Sequence, residues 1–132
     1  MATRPSNEAK ISAEIELAVS RGSCRLFRNN VGALRTANGR LMAFGLGSKG
    51  GKVMSGSLDY IGWRSIVVTP DMVGKRLAVF AAIDAKDLEK PSPKQVIFAE
   101  NVQRAGGLAG FAHSASEAMA IMHPEWLPPA TP

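Results

Sequence analysis

Apolar residues recur at helical spacing near the start of the chain and then alternate over a short run. Ile11, Ile15 and Ala18 lie three or four positions apart, which predicts an amphipathic helix over residues 8–19, with Gly22 as its C-cap. Residues 24–28 alternate in part between apolar and polar side chains and predict a strand. The chain therefore opens with one helix followed by one strand.

The pair Asn38-Gly39 is the main turn signal of the next segment. This dipeptide favours a two-residue hairpin turn, which would join residues 34–37 to residues 40–44. We therefore expect an antiparallel hairpin here.

A glycine-rich stretch, residues 45–51, carries Lys49 and is followed by Lys52. A triphosphate-binding loop of the pattern G-x-x-x-x-G-K-[ST] would need glycine at position 46 and a hydroxyl at position 53, where the chain has Leu46 and Val53. We therefore predict no nucleotide cofactor. A basic loop that touches a nucleic-acid backbone and a plain connector both stay open as interpretations.

The second half of the chain contains the longest strand-like run. Residues 58–63 and 65–69 have the composition of short strands. Residues 77–85 are apolar on both faces, which predicts a strand at the centre of a sheet.

Helix signals dominate the remainder of the chain. Residues 94–104 predict a helix that the glycines at 106–107 stop, and residues 108–112 predict a short strand. Residues 114–117 form a capping-box sequence, which predicts a last helix over residues 118–122.

This order of elements predicts an α/β fold with a small mixed β-sheet flanked by helices. We expect a single domain over residues 1–123 and a Pro-rich C-terminal tail over residues 124–132. The 132-residue length is sufficient for one hydrophobic core.

Composition excludes several classes of protein. The chain is 45% hydrophobic and 20% charged, as soluble globular proteins are, and no run approaches the roughly 18 apolar residues of a membrane span. The first six residues lack the apolar core of a signal peptide. The single cysteine, Cys24, excludes an internal disulfide and fits a reducing compartment. We therefore expect a cytoplasmic protein with no membrane partner.

The positive charge is unevenly distributed. The formal net charge is +5, and no acidic residue occurs between Glu16 and Asp59. A segment of one sign attracts polyanions, so nucleic acid is the first candidate partner, and a solvated basic face with no partner is the alternative. The basic residues of this segment are Arg21, Arg25, Arg28, Arg35, Arg40, Lys49 and Lys52.

Asp84 and Lys86 end the apolar run over residues 77–83. Their side chains share one face of the predicted strand, and Asp59 would add a second carboxylate if its strand lies alongside. Two carboxylates can hold Mg²⁺, and a lysine beside them can stabilise a phosphoryl transition state. The simpler alternatives are a local ion pair at a solvated strand end, a turn acid at Asp59 and an exposed helix residue at Gln95.

Five sequence elements occur together in the order of a known family. They are Glu8-x-x-Ile11, Phe27-Arg28-Asn29-Asn30-Val31-Gly32, Gly56-Ser57-Leu58-Asp59-Tyr60-Ile61-Gly62, Ile83-Asp84-Ala85-Lys86, and Gln95 followed by Gly106-Gly107. Over roughly residues 6 to 120 the chain resembles a virus-type replication-repair nuclease (VRR-NUC) domain, a family of the PD-(D/E)XK nuclease superfamily. The resemblance implies a restriction-endonuclease-like core.

The resemblance assigns a role to each of five residues. Asp59 corresponds to the first metal-binding acid, Asp84 and Lys86 to the acid-x-lysine pair, and Gln95 to a glutamine near the site. Glu8 corresponds to the first-helix glutamate that helps hold the metal, and Glu14 is the competing choice. The family usually has glutamate where this chain has Asp84, which sets the carboxylate back by about 1.5 Å.

The expected activity is hydrolysis of DNA phosphodiester bonds with Mg²⁺ or Mn²⁺ as cofactor. By family analogy the enzyme would prefer branched DNA such as a Holliday junction and act as a homodimer, whose two-fold axis suits symmetric cutting. A nucleic-acid-binding module without catalysis and a basic domain with a protein partner are the alternatives. The predicted nucleic-acid-binding residues are Arg28, Asn29, Asn30, Lys49, Lys52 and Lys94.

Overall fold

The computed structural model describes residues 7–46 and 58–129 and divides the chain into two compact units, Met1–Arg64 and Ser65–Pro132. In chain order the elements are α1 (Asn7–Val19), β1 (Cys24–Arg28), β2 (Gly32–Arg35), β3 (Leu41–Phe44), β4 (Tyr60–Arg64), a 3₁₀ turn (Pro70–Met72), β5 (Ala81–Ala85), α2 (Pro93–Arg104), β6 (Leu108–Ala112) and α3 (Ala115–Met122). The described residues are thus a mixed α/β structure with three α-helices and small sheets.

In the first unit, α1 leads into β1, which pairs with β4. The pairing is antiparallel, from Cys24 opposite Arg64 to Arg28 opposite Tyr60. Ser20 stabilises the turn between α1 and β1, because its hydroxyl accepts a hydrogen bond from the Leu26 backbone N–H at 3.1 Å. The predicted helix and the predicted first strand are both confirmed.

Strands β2 and β3 form the predicted hairpin, but its turn is longer than predicted. Arg35 lies opposite Leu41, and the Thr36 backbone N–H donates to the Arg40 carbonyl, so the loop contains three residues. The Gly39 N–H donates to the Thr36 carbonyl, and Gly39 has φ +81°. A type I turn followed by a left-handed glycine produces this three-residue loop, so the two-residue turn was wrong.

The second unit contains a parallel β-α-β arrangement of β5, α2 and β6. The register runs from Ala81 opposite Leu108 to Ala85 opposite Ala112. One further backbone bond extends it, because the Lys86 N–H donates to the Ala112 carbonyl at 2.9 Å. The two strands therefore end together, at the edge of the sheet where Lys86 lies.

Both ends of α2 are closed by specific hydrogen bonds. At the start, the Ser92 hydroxyl accepts from the Gln95 N–H while the Gln95 side chain accepts from the Ser92 N–H, a reciprocal capping box. At the end, Gly106 (φ +99°) donates to the Gln103 carbonyl and Gly107 donates to the Val102 carbonyl. This is the Schellman pattern, and it confirms the glycine stop.

Helix α3 starts three residues earlier than predicted. The Ser114 hydroxyl caps it by accepting from the Glu117 N–H at 3.1 Å. The Glu117 carboxylate does not complete the box on Ser114 and accepts instead from the backbone N–H of His113. Beyond α3, residues 124–129 are non-helical, as expected for the Pro-rich tail.

Two strand predictions in the second unit were wrong. Residues 65–69 form no strand, since Val67 and Val68 are exposed and Ser65 instead donates to the Ala105 carbonyl at 2.7 Å. The run over residues 77–85 becomes a strand only from Ala81. A β-branched run favours a strand only when a partner ladder is available, and residues 77–79 have none in the described structure.

Pairing is limited to sheets of two strands across the described residues, where a single mixed sheet was expected. In particular β5 pairs with β6 alone, so its predicted central position is not observed. The buried core consists of five residues on α2 and β6: Ala99, Val102, Leu108, Ala109 and Ala112. Within residues 7–46 and 58–129, no helix has the length and apolar character that crossing a bilayer requires.

Candidate functional site

Asp84 and Lys86 meet at the carboxyl end of β5. The Lys86 Nζ lies 2.9 Å from the Asp84 Oδ2. The Lys86 side chain is only 13% exposed, whereas that of Asp84 is 43% exposed. A lysine this far from solvent needs an anionic partner, and Asp84, two positions earlier on the same strand face, supplies it. The structure thus holds one fixed ammonium beside one accessible carboxylate.

Gln95 joins this pair from the first turn of α2. Its Nε2 donates to the same Oδ2 of Asp84 at 3.4 Å, while its Oε1 accepts from the Ser92 N–H at 3.0 Å. The capping box therefore orients the amide so that its donor end points at the carboxylate. Gln95 was predicted near the site, whereas the capping box was not, although the Ser92-x-x-Gln95 spacing is its sequence signal.

A cavity of about 340 Å³ lies between α2 and the β5–β6 pair. Asp84, Lys94 and Gln95 line it together with apolar side chains that include Phe98 and Phe111. Apolar walls lower the local dielectric and strengthen the interactions of the charges beside them. Lys94, one of the predicted nucleic-acid-binding residues, lines the same cavity as Asp84.

The donor groups of the second unit do not by themselves form a metal site. Asp84 is the only carboxylate of the predicted site in that unit, and the Gln95 amide presents a donor to it. No group of three or more His, Cys, Asp or Glu side chains able to hold a metal ion occurs in the described residues. Metal binding through Asp59, Asp84 and Glu8 stays a prediction.

Asp59 lies in the first unit, immediately before β4. Its backbone carbonyl accepts from the Asn29 N–H at 2.8 Å, which fixes it beside the end of β1. The Asn29 side chain accepts from the Leu46 N–H at 2.9 Å and donates to the Leu58 carbonyl at 3.0 Å. Asn29 thus organises the backbone around Asp59, a role in addition to the predicted contact with nucleic acid.

Arg28 is held by a small polar network at the end of β1. Its guanidinium donates to the Tyr60 hydroxyl at 3.4 Å and lies 5.5 Å from the centroid of the Tyr60 ring. The Tyr60 hydroxyl in turn donates to the Glu16 carboxylate at 2.8 Å. The pKa of Arg28 is raised, first by Tyr60 and to a smaller extent by the negative charges of Asp59 and Glu16.

The α1 residues of this network lie on one face of the helix. Glu16 bonds Tyr60, and the Ser12 hydroxyl accepts from Arg28 at 3.5 Å. Residues four apart share a helix face, so Glu8 belongs to the same face as Ser12 and Glu16, and Glu14 does not. Glu16 is an acidic residue of this network that was not predicted, although its spacing from Glu8 is visible in the sequence. The choice of Glu8 over Glu14 as a metal ligand stays a prediction.

The predicted site residues therefore fall into two groups. The second unit brings together Asp84, Lys86, Gln95 and Lys94, whereas Glu8, Asp59 and the exposed Arg28 and Asn30 belong to the first unit. Lys49 and Lys52 lie outside the described residues. The pairing of Asp59 with Asp84 stays a prediction.

The chain matches no protein-family model, no curated protein and no solved structure in the comparisons made.

Proposed function

We propose that the chain is a metal-dependent DNA endonuclease with a PD-(D/E)XK core. The observation that carries the proposal is the Asp84–Lys86 ion pair at the shared end of the parallel strands β5 and β6. Parallel β-α-β units concentrate functional groups at the carboxyl ends of their strands. An acid and a lysine two positions apart at that edge match the acid-x-lysine pair of the resembled nuclease family.

Lys86 supplies the fixed positive charge in this proposal. Its 13% exposure and the apolar cavity nearby place the ammonium where solvent screens it weakly. The transition state of phosphodiester hydrolysis carries more negative charge than the ground state, so a preorganised cation accelerates the reaction. Gln95 is a positioning residue, since it holds the Asp84 carboxylate that holds Lys86.

The metal requirement rests on the family resemblance. When bound, a divalent cation polarises the phosphoryl group and activates water. Asp84 offers an accessible carboxylate, and Asp59 and Glu8 are the further ligands that the sequence predicts.

The charge of the first unit supports DNA as the substrate. Residues 1–64 contain ten basic and four acidic residues, a net charge of +6, whereas residues 65–132 contain six and seven, a net charge of −1. A positive surface of this kind binds the phosphate backbone without regard to sequence. Preference for branched DNA and action as a homodimer follow from the family resemblance.

Cleavage of end-labelled DNA tests the proposal. Four-way junction, flap, duplex and single-stranded DNA are incubated with Mg²⁺, Mn²⁺ or EDTA. We expect metal-dependent cutting that Lys86→Ala reduces by about 100-fold or more, since it removes a fixed transition-state charge. Lys75→Ala is the matched control, because Lys75 is an exposed lysine of the same unit.

Three other results would contradict the proposal. Cutting that survives in EDTA would show that the cleavage needs no metal. Cutting that Lys86→Ala leaves unchanged would show that the cleavage does not take place at the proposed site. DNA binding without cutting would favour the second candidate, a nucleic-acid-binding module without catalysis. The observation that favours this candidate is the ion pair of Asp84 with Lys86, in which each charge neutralises the other. Asp84→Glu would then show whether the longer acid of the resembled family restores cleavage.

A further inference from the structure

His113 lies at the same sheet edge as Asp84 and Lys86. It directly follows β6, and β6 ends at Ala112, whose carbonyl accepts from the Lys86 N–H at 2.9 Å. Neighbouring strands lie about 4.8 Å apart, so continuing the parallel register places His113 beside Lys86. No role in the proposed hydrolysis has so far been assigned to this imidazole.

Glu117 fixes the His113 ring. Its carboxylate lies 2.9 Å from the Nδ1 of His113 and also accepts from the His113 backbone N–H. The pKa of Glu117 is lowered by these two contacts, the backbone one first, so the carboxylate stays ionised across the range in which imidazole titrates. The side chain of His113 is 54% exposed, and its Nε2 has no partner among residues 7–46 and 58–129.

The charges at this edge leave room for a further cation. Lys86 is paired with Asp84, and the second unit as a whole carries a net charge of −1. The charged groups nearest to His113 along the chain and across the register are Glu117 on α3 and, at the end of β5, Lys86, Asp84 and Asp87. A strand of DNA that reaches Asp84 would also meet Lys94, which lines the same cavity, and a protonated His113 would add a positive group at the ends of β5 and β6.

We propose that His113 binds a backbone phosphate of the DNA strand at the carboxyl ends of β5 and β6, in its imidazolium form. The Nδ1–H is held by Glu117, and the Nε2–H donates to a phosphate oxygen, a charge-assisted hydrogen bond. DNA binding therefore tightens as the pH falls from 8.0 to 5.5. This inference rests on the proposed function, because it takes DNA as the ligand.

The affinity for an end-labelled four-way junction and for a duplex of the same arms, measured in EDTA at pH 5.5 and 8.0, tests this inference. The chain has two histidines, so His123→Gln, which changes the C-cap of α3, is the matched control for His113→Gln. We expect the wild type and His123→Gln to bind about three- to tenfold more tightly at pH 5.5 than at pH 8.0. His113→Gln should lose most of that difference and, at pH 5.5, reduce the salt slope by about one.

The failure of this inference can be told apart from the failure of the proposed function. Wild-type protein that binds neither DNA at either pH overturns both. If the wild type binds DNA and His113→Gln keeps the same pH dependence and salt slope, the role of His113 is overturned and the proposed function is not.

A second measurement needs no substitution. Imidazole proton resonances of the two histidines are followed by NMR against pH, with and without the junction. DNA should raise the titration midpoint of His113 and leave that of His123 in place, since phosphate binding favours the imidazolium. Equal midpoints with and without bound DNA would overturn the inference.

Discussion

The two units differ in what they contribute. The first carries a net charge of +6 and contains no buried residue among those described, whereas the second carries −1 and contains every buried core residue. The positive charge and the acid–lysine pair on which the proposed function rests are therefore encoded in different halves of the chain. The two can be altered separately by mutation.

The units also differ in how their elements are held. In the second, α2 is capped at both ends and packs on β6, with Val102 only 1% exposed. In the first, ladder hydrogen bonds join two antiparallel pairs, and large apolar residues such as Leu34 are exposed. Isolated two-stranded pairs are marginally stable in water, so we expect core substitutions to be felt most in the second unit.

The largest effect expected from this difference is on stability. Val102→Ala should lower the free energy of unfolding by about 2 kcal/mol, because it removes two buried methyl groups and leaves a cavity. Val19→Ala, at the half-buried end of α1, should cost less than about 1 kcal/mol. Denaturant titration measures the free energy of unfolding of both variants. Equal losses would show that the difference in burial between Val102 and Val19 does not affect stability.

A smaller effect is expected at the helix starts. Ser92→Ala should cost about 1 kcal/mol, since it breaks the capping box that also orients Gln95. Ser116→Ala, at an exposed position inside α3, should change stability by less than about 0.5 kcal/mol, because alanine is the better helix former there. Thermal unfolding of the two variants is the measurement, and a Ser92 variant as stable as wild type would contradict the role given to the box.

The smallest effect is expected in the first unit. Tyr60→Phe removes the hydroxyl that links Arg28 to Glu16 and should weaken DNA binding about threefold, a typical loss for one exposed hydrogen bond. The salt slope should stay unchanged because the charge of Arg28 is retained. Arg28→Ala, in contrast, should reduce that slope by about one. Unaltered affinity in Tyr60→Phe would show that the network does not position Arg28.

Local signals were sufficient for the elements that depend on their own sequence. The alternation in residues 24–28 and the short apolar run over residues 108–112 predicted β1 and β6, and the glycines after α2 predicted its end. Residues 65–69 show where such signals fail, because their β-branched composition favours a strand but the chain gives them no partner. Strand formation is a property of two segments, and one segment alone does not determine it.

Local sequence signals predicted one part of the candidate site and missed the rest. The strand period placed Asp84 and Lys86 on one face, and the structure has them in contact. The second hydrogen bond of Gln95 and the link from Tyr60 to Glu16 depend on distances between elements, which no periodicity supplies. His113 was missed for the same reason, since only the parallel register brings residue 113 next to residue 86.

Asn29 has a consequence for how far one substitution would be felt in the first unit. Its side chain binds the backbone at two positions that are far apart in the sequence, accepting from the Leu46 N–H and donating to the Leu58 carbonyl. Asn29→Ala would remove both bonds at once, leaving one backbone donor and one backbone acceptor without this partner. Hydrogen exchange should therefore become faster at the Leu46 amide in this variant.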